Sequence, residues 1–168
     1  MRQNSTTIEE AGRFLLECGY ENLEYPDTYS HDIYVPATDT KIQIFEGWDE
    51  ATRSAFIFLG TNKEDGISWR IIDADYIFII TPEIYLLARS RILLEFILNN
   101  DFVRTNKVAT RKPGSIVVKI PISWLAYALP YDQENGDVMI FDRKTGQAKD
   151  ISTPTDTPSQ VNTGNEEL

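Results

Sequence analysis

The chain has one cysteine and one histidine in 168 residues. A lone Cys18 excludes an intramolecular disulfide and fits a reducing compartment. With His31 as the only imidazole, a histidine/cysteine zinc site within one chain is excluded, and no Cys-x-x-Cys or His-Glu-x-x-His spacing occurs. A phosphate-binding glycine loop, a Gly-x-Gly-x-x-Gly turn and a Gly-x-Ser-x-Gly nucleophile elbow are missing too. No hydrophobic run is long enough to cross a bilayer, and the first fourteen residues lack the apolar stretch of a secretory signal. The expectation is a soluble, cytoplasmic protein that does not engage a membrane.

Basic charge is scarce as well. The formal net charge is −10, which argues against a general polyanion binder. The deficit is uneven: residues 1–85 hold 16 acids and 6 bases, whereas 86–120 hold 2 acids and 7 bases. That asymmetry hints at one anion-facing surface built from Arg104, Lys107, Arg111, Lys112 and Lys119. The alternative is that these cations are solvated on helix and loop faces.

What the sequence does contain reads as one mixed α/β (α+β) domain. Ile8, Ala11, Phe14, Leu15 and Cys18 recur at helical spacing and predict an amphipathic helix over 6–18, with Cys18 on its core face. Thr6 with Glu9 has capping-box spacing, and Gly19 stands where a left-handed helix end is expected. Strand-like segments follow at 20–25, 31–35, 41–46, 55–60, 68–72 and 75–80, each rich in β-branched and aromatic residues and bounded by turn formers. Turns are expected at 37–40 and 62–66. Residues 83–88 predict a short strand, 91–99 a second helix capped by Ser90, 115–120 a strand, 123–129 a short helix and 138–141 a last strand. The expected architecture is a central mixed sheet flanked by the N-terminal helix and the helix near 90–99. The domain is set at 1–142. Residues 143–168, rich in Thr, Ser, Pro, Asn and acids, predict a disordered polar tail.

One constellation carries a chemical suggestion. A helix bearing Glu9 and Glu10 precedes His31-Asp32-Ile33-Tyr34-Val35, a turn, and Lys41-Ile42-Gln43-Ile44-Phe45. This succession resembles the core of the PD-(D/E)XK superfamily, the restriction-endonuclease-like and Holliday-junction-resolvase-like nucleases, over about residues 6–125. The resemblance implies that Asp32 is the first acid, Gln43 the residue of the second motif, and Glu10 (or Glu9) the helix carboxylate. It implies further that Asp32 and Glu10 hold Mg²⁺, which activates water and offsets phosphate charge. The lysine of the pattern is replaced by Phe45, leaving Lys41, on the same strand face, as the substitute.

Two functions follow as expectations. The first is a nucleic-acid-binding, nuclease-like domain that is catalytically degenerate, or a Mg²⁺-dependent phosphodiesterase if Asp32, Gln43 and Lys41 still work. The second is a non-enzymatic acidic accessory protein (viral, mobile-element or regulatory) that binds a protein partner through Trp48, Trp69 or Trp124, or that occupies a DNA-binding partner; a homodimer is a further expected assembly. The plainer expectations are that Asp32 pairs with Lys41, that Gln43 faces solvent, and that the helix carboxylates serve the helix dipole.

Overall fold

The computed structural model describes residues 5–129 and 136–149. Helix α1 spans Ser5–Glu17 and buries Ile8, Ala11, Phe14 and Leu15. Its end follows from Gly19, at φ 103°. The Tyr20 N–H reaches the Leu15 carbonyl and the Gly19 N–H the Leu16 carbonyl, both at 3.1 Å, so two terminal carbonyls are satisfied in a Schellman arrangement. The left-handed turn falls one residue after Cys18, which is therefore exposed rather than in the core. Thr6 already lies inside the helix, so the expected capping box does not form at that position.

Two five-stranded sheets follow. The first contains β1 (Ile33–Val35), β2 (Thr40–Phe45), β6 (Tyr76–Ile80), β7 (Ile84–Arg89) and β10 (Val138–Asp142), in the order β1-β2-β6-β7-β10. It is mixed: β2 and β6 run parallel and its other pairs antiparallel. The second contains β3 (Trp48–Asp49), β4 (Ser54–Lys63), β5 (Gly66–Trp69), β8 (Lys107–Val108) and β9 (Ser115–Pro121), all antiparallel. The chain leaves the first sheet at Phe45 and enters the second at Trp48, so the single central sheet expected from the sequence is divided between two.

Alternation along the first sheet assigns its two faces. Ile33, Val35, Ile42, Ile44, Phe78, Ile80, Tyr85 and Leu87 pack beneath α1. Phe45, Ile77, Ile79, Leu86 and Ala88 face the second sheet, meeting Ala55, Ile57, Leu59, Val118 and Ile120. The helix α2 (Ser90–Asn99) closes this inter-sheet core with Leu93, Leu94, Phe96 and Ile97. Ser90 does not cap that helix. Its hydroxyl donates to the Ala74 carbonyl at 2.6 Å, tying the helix start to the entrance of β6. Short helices α3 (Phe102–Thr105) and α4 (Ile122–Ala128) flank β9.

Of the expected strands, 20–25 forms only a single bridge, Glu24 to Tyr34, and 70–73 winds into a 3-10 turn after β5. Structure continues past residue 142: Arg143 starts a turn, and Ala148 bridges to Phe141. The rest of the expected tail, 150–168, lies outside the described residues. No helix among the described residues is long and apolar enough to cross a membrane.

Candidate functional site

The β1–β2 hairpin positions the residues singled out by sequence. Its register pairs Ile33 with Ile42, Tyr34 with Lys41 and Val35 with Thr40. One further step sets Asp32 opposite Gln43, the two residues expected to act together. The Asp32 N–H donates to the Ile42 carbonyl at 2.9 Å. The Ile44 N–H then donates to Asp32 Oδ2, also at 2.9 Å. Where the strand ends, the side chain takes over the acceptor's place, and Asp32 is only 1% exposed. Its first bond is thus structural: it satisfies a buried backbone donor.

Lys41 is exposed, and its backbone pairs with Asp75, the Lys41 N–H donating to Asp75 Oδ2 and the Asp75 N–H to the Lys41 carbonyl, each at 2.8 Å. His31 Nδ1 lies 2.7 Å from Ser30 Oγ. Burial, then the Lys41 charge, hold the His31 pKa below its ordinary 6.5, with Asp32 and Asp75 opposing the shift. Mixed charge therefore surrounds the hairpin.

Gln43 faces away from α1 and is buried, 3% exposed, rather than solvent-facing. It lines a cleft of about 700 Å³ whose other walls come from distant segments. Phe58, Thr61, Ser115 and Val117 belong to the β4–β9 ladder, in which Phe58 pairs with Val117 and Thr61 with Ser115. A three-residue separation would ordinarily set Phe58 and Thr61 on opposite faces. The irregularity between Phe58 and Gly60 adds one residue to β4 and returns Thr61 to the Phe58 side. Gly60 is required there, because a Cβ would overlap the carbonyl oxygen of Ser68 on β5.

Arg70, from the 3-10 turn, and Arg111 and Lys112, from the loop between β8 and β9, bring positive charge to the cleft, and Tyr29 supplies an exposed ring. The loop is tied at the Lys112 carbonyl, which accepts from Thr110 Oγ1 at 2.9 Å and from the Ser115 N–H at 3.2 Å. Arg70 is paired with Asp73 at 2.8 Å. No carboxylate among the described residues pairs with Arg111 or Lys112.

The remaining cations do not join this surface. Arg104 is held by Asp101 at 2.6 Å and Lys119 by Asp49 at 3.0 Å, while Lys107 is exposed on β8. The basic stretch is thus not one continuous positive face beside Asp32; two of its five cations reach the cleft.

Glu10 stands on the α1 side of the first sheet, across it from Gln43. Arg143 grips it in a fork, Nε to Oε2 and Nη2 to Oε1, each at 2.8 Å, and the Tyr85 hydroxyl donates to Oε2. Burial alone would raise the Glu10 pKa, but the Tyr85 and Arg143 hydrogen bonds outweigh it, and the net shift is downward. Glu9 is exposed on α1. Phe45 belongs to the inter-sheet core and is 5% exposed. A Mg²⁺ centre built on Asp32 and Glu10 does not fit this arrangement. One carboxylate is engaged by a backbone N–H, the other by Arg143 on the far side of the sheet. No group of three or more His, Cys, Asp or Glu suited to a metal gathers among the described residues.

Sequence reasoning missed Tyr29, Phe58 and Arg70 as site residues. Phe58 joins through a bulge that strand periodicity does not reveal, and Arg70 through a turn where a strand was expected. Comparison with protein-family models, with curated proteins and with solved structures finds no match to this chain.

Proposed function

We propose that this chain is a nucleic-acid-binding domain of restriction-endonuclease-like design whose hydrolytic centre is degenerate. The observation that carries the proposal is the meeting of Gln43, the cross-strand neighbour of Asp32, with Arg111 and Lys112 in one cleft. Cations without carboxylate partners are the groups that phosphates recruit, and their counterion release gives such binding its salt dependence. The aromatic rings of Tyr29 and Phe58 beside them suit stacking with bases. Hydrolysis is not part of the proposal, because Phe45 replaces the ammonium of the family pattern and Asp32 and Glu10 do not converge on one ion.

The test is fluorescence anisotropy of labelled duplex, branched and single-stranded DNA across a salt series with Mg²⁺ present, the endpoints then run on a denaturing gel. The proposal expects binding that weakens steeply with salt, and uncut strands. Absence of binding at low salt would remove it and leave the acidic protein-interaction domain in its place. Cut product lost in Asp32→Ala would restore the active nuclease.

A further inference from the structure

Gln43 poses a problem that phosphate binding does not solve. Its side chain carries two amide donors and a carbonyl acceptor. It is 3% exposed and lines the cleft, yet no hydrogen-bond partner reaches its amide among the described residues. A buried primary amide left unpaired is costly, and such groups in native proteins ordinarily find a partner. Any ligand that answers it must present a donor and an acceptor side by side. A phosphate or carboxylate offers only acceptors, so a simple anion held by Arg111 and Lys112 would still leave the Gln43 carbonyl unanswered.

We infer that the cleft receives one unpaired nucleobase of a single strand, with Gln43 reading its hydrogen-bonding edge. This rests on the nucleic-acid reading above. A base edge supplies the adjacent donor and acceptor that an amide matches in two parallel bonds. Phe58 and the exposed ring of Tyr29 provide faces for the base, and Arg111 and Lys112 meet the flanking phosphates. The volume, about 700 Å³, lies within the range of small-molecule clefts, roughly 300–1,000 Å³. Depth excludes a duplex ligand: a side chain so buried cannot project into a groove, so the base must leave its stack and come to the protein.

The experiment measures anisotropy of fluorescein-labelled oligo-dA, oligo-dT and oligo-dC strands and of a mixed-sequence duplex, with free mononucleotides as competitors, for the wild type and Gln43→Leu. The expected result is that one homopolymer binds roughly tenfold or more tightly than the others and than the duplex. Gln43→Leu abolishes that preference while salt-dependent residual binding persists, and its urea midpoint stays level or rises because the unpaired amide is gone. Should leucine fail to fold, Gln43→Met makes the same test with an unbranched chain.

Base-independent binding that Gln43→Leu leaves unchanged would overturn base reading while leaving nucleic-acid binding intact. Duplex bound as tightly as single strand would also overturn it. A free mononucleotide competing as well as a strand would assign the cleft to free nucleotide and overturn the strand. If no strand binds even at low salt, the nucleic-acid reading fails, and base reading with it.

Discussion

Asp32 Oδ2 accepts the N–H of Ile44, two residues past the last backbone pair of the β1–β2 ladder, at 2.9 Å. A carboxylate that resembles a nuclease's first acid is therefore also the end-piece of a hairpin. Asp32→Ala leaves the Ile44 N–H buried without its acceptor and should cost about 1–3 kcal/mol of stability. Asp32→Asn retains an acceptor oxygen and should cost less. Urea unfolding of both variants measures the difference; equal loss in the two would contradict the role of this bond.

Phe45 makes a second prediction. Phe45→Lys, which places at position 45 the lysine of the pattern the sequence resembles, buries an ammonium where an aromatic ring fills the inter-sheet core. The loss should be at least about 3 kcal/mol, the lower end of what emptying an aromatic core site costs, with the charge adding to it. A large drop in melting temperature and no gain of Mg²⁺-dependent cleavage are expected. Cleavage by a stably folded Phe45→Lys protein would show that the site tolerates the ion after all.

The fork between Arg143 and Glu10 predicts a pH dependence at both ends of the scale. The folded-state pKa of Glu10 lies below its ordinary 4.5, so its contribution is present above that value and is lost as acid protonates it below about pH 4.5. Tyr85 is pushed from 10.0 up to about 12, chiefly by burial and then by its bond to Glu10. Between those two values the unfolded chain loses the phenolic proton while the folded chain keeps it, so stability falls as pH rises through that interval. Tyr85→Phe should flatten the alkaline fall and Glu10→Gln the acid one. Because Glu10 and Arg143 are partly exposed, the acid-side contribution should be near 1 kcal/mol or below. Denaturant midpoints across pH measure both slopes.

Arg111 and Lys112 are expected to act through phosphates. The double change Arg111→Ala with Lys112→Ala should weaken binding to all strand sequences alike and lower the slope of log affinity against log salt by roughly 1.4 on single strands. Arg104→Ala, whose guanidinium sits on Asp101, should alter that slope less.

How much of this was legible in the chain differs by element. α1 and its C-terminal end were plain, because apolar spacing and Gly19 act locally; Cys18 was misplaced, since the helix stops a residue before it, and so was the capping box at Thr6. Turn formers at 37–40 announced the β1–β2 hairpin, but the facing of Asp32 and Gln43 was not read from them; it follows from the turn at 36–39, which pairs Val35 with Thr40. The pairing of β4 with β9 and of β7 with β10 joins segments some 50 or more residues apart, and local periodicity holds no record of such partners. The cleft depends on that long-range pairing and on the bulge in β4, which is why Phe58, Arg70 and Tyr29 were not foreseen. Arg143 was assigned to a polar tail by composition, although its fork to Glu10 anchors it to α1.

The most direct test of the central claim is anisotropy of a labelled single strand against wild type and the Arg111→Ala, Lys112→Ala double variant at several salt concentrations, with Mg²⁺ present and the strand recovered for a denaturing gel. Expected are salt-sensitive binding by wild type, a shallower salt slope in the variant, and an intact strand in both. Identical binding by the two proteins would contradict the cleft as the phosphate-contacting surface, and a cut strand would contradict the degenerate centre.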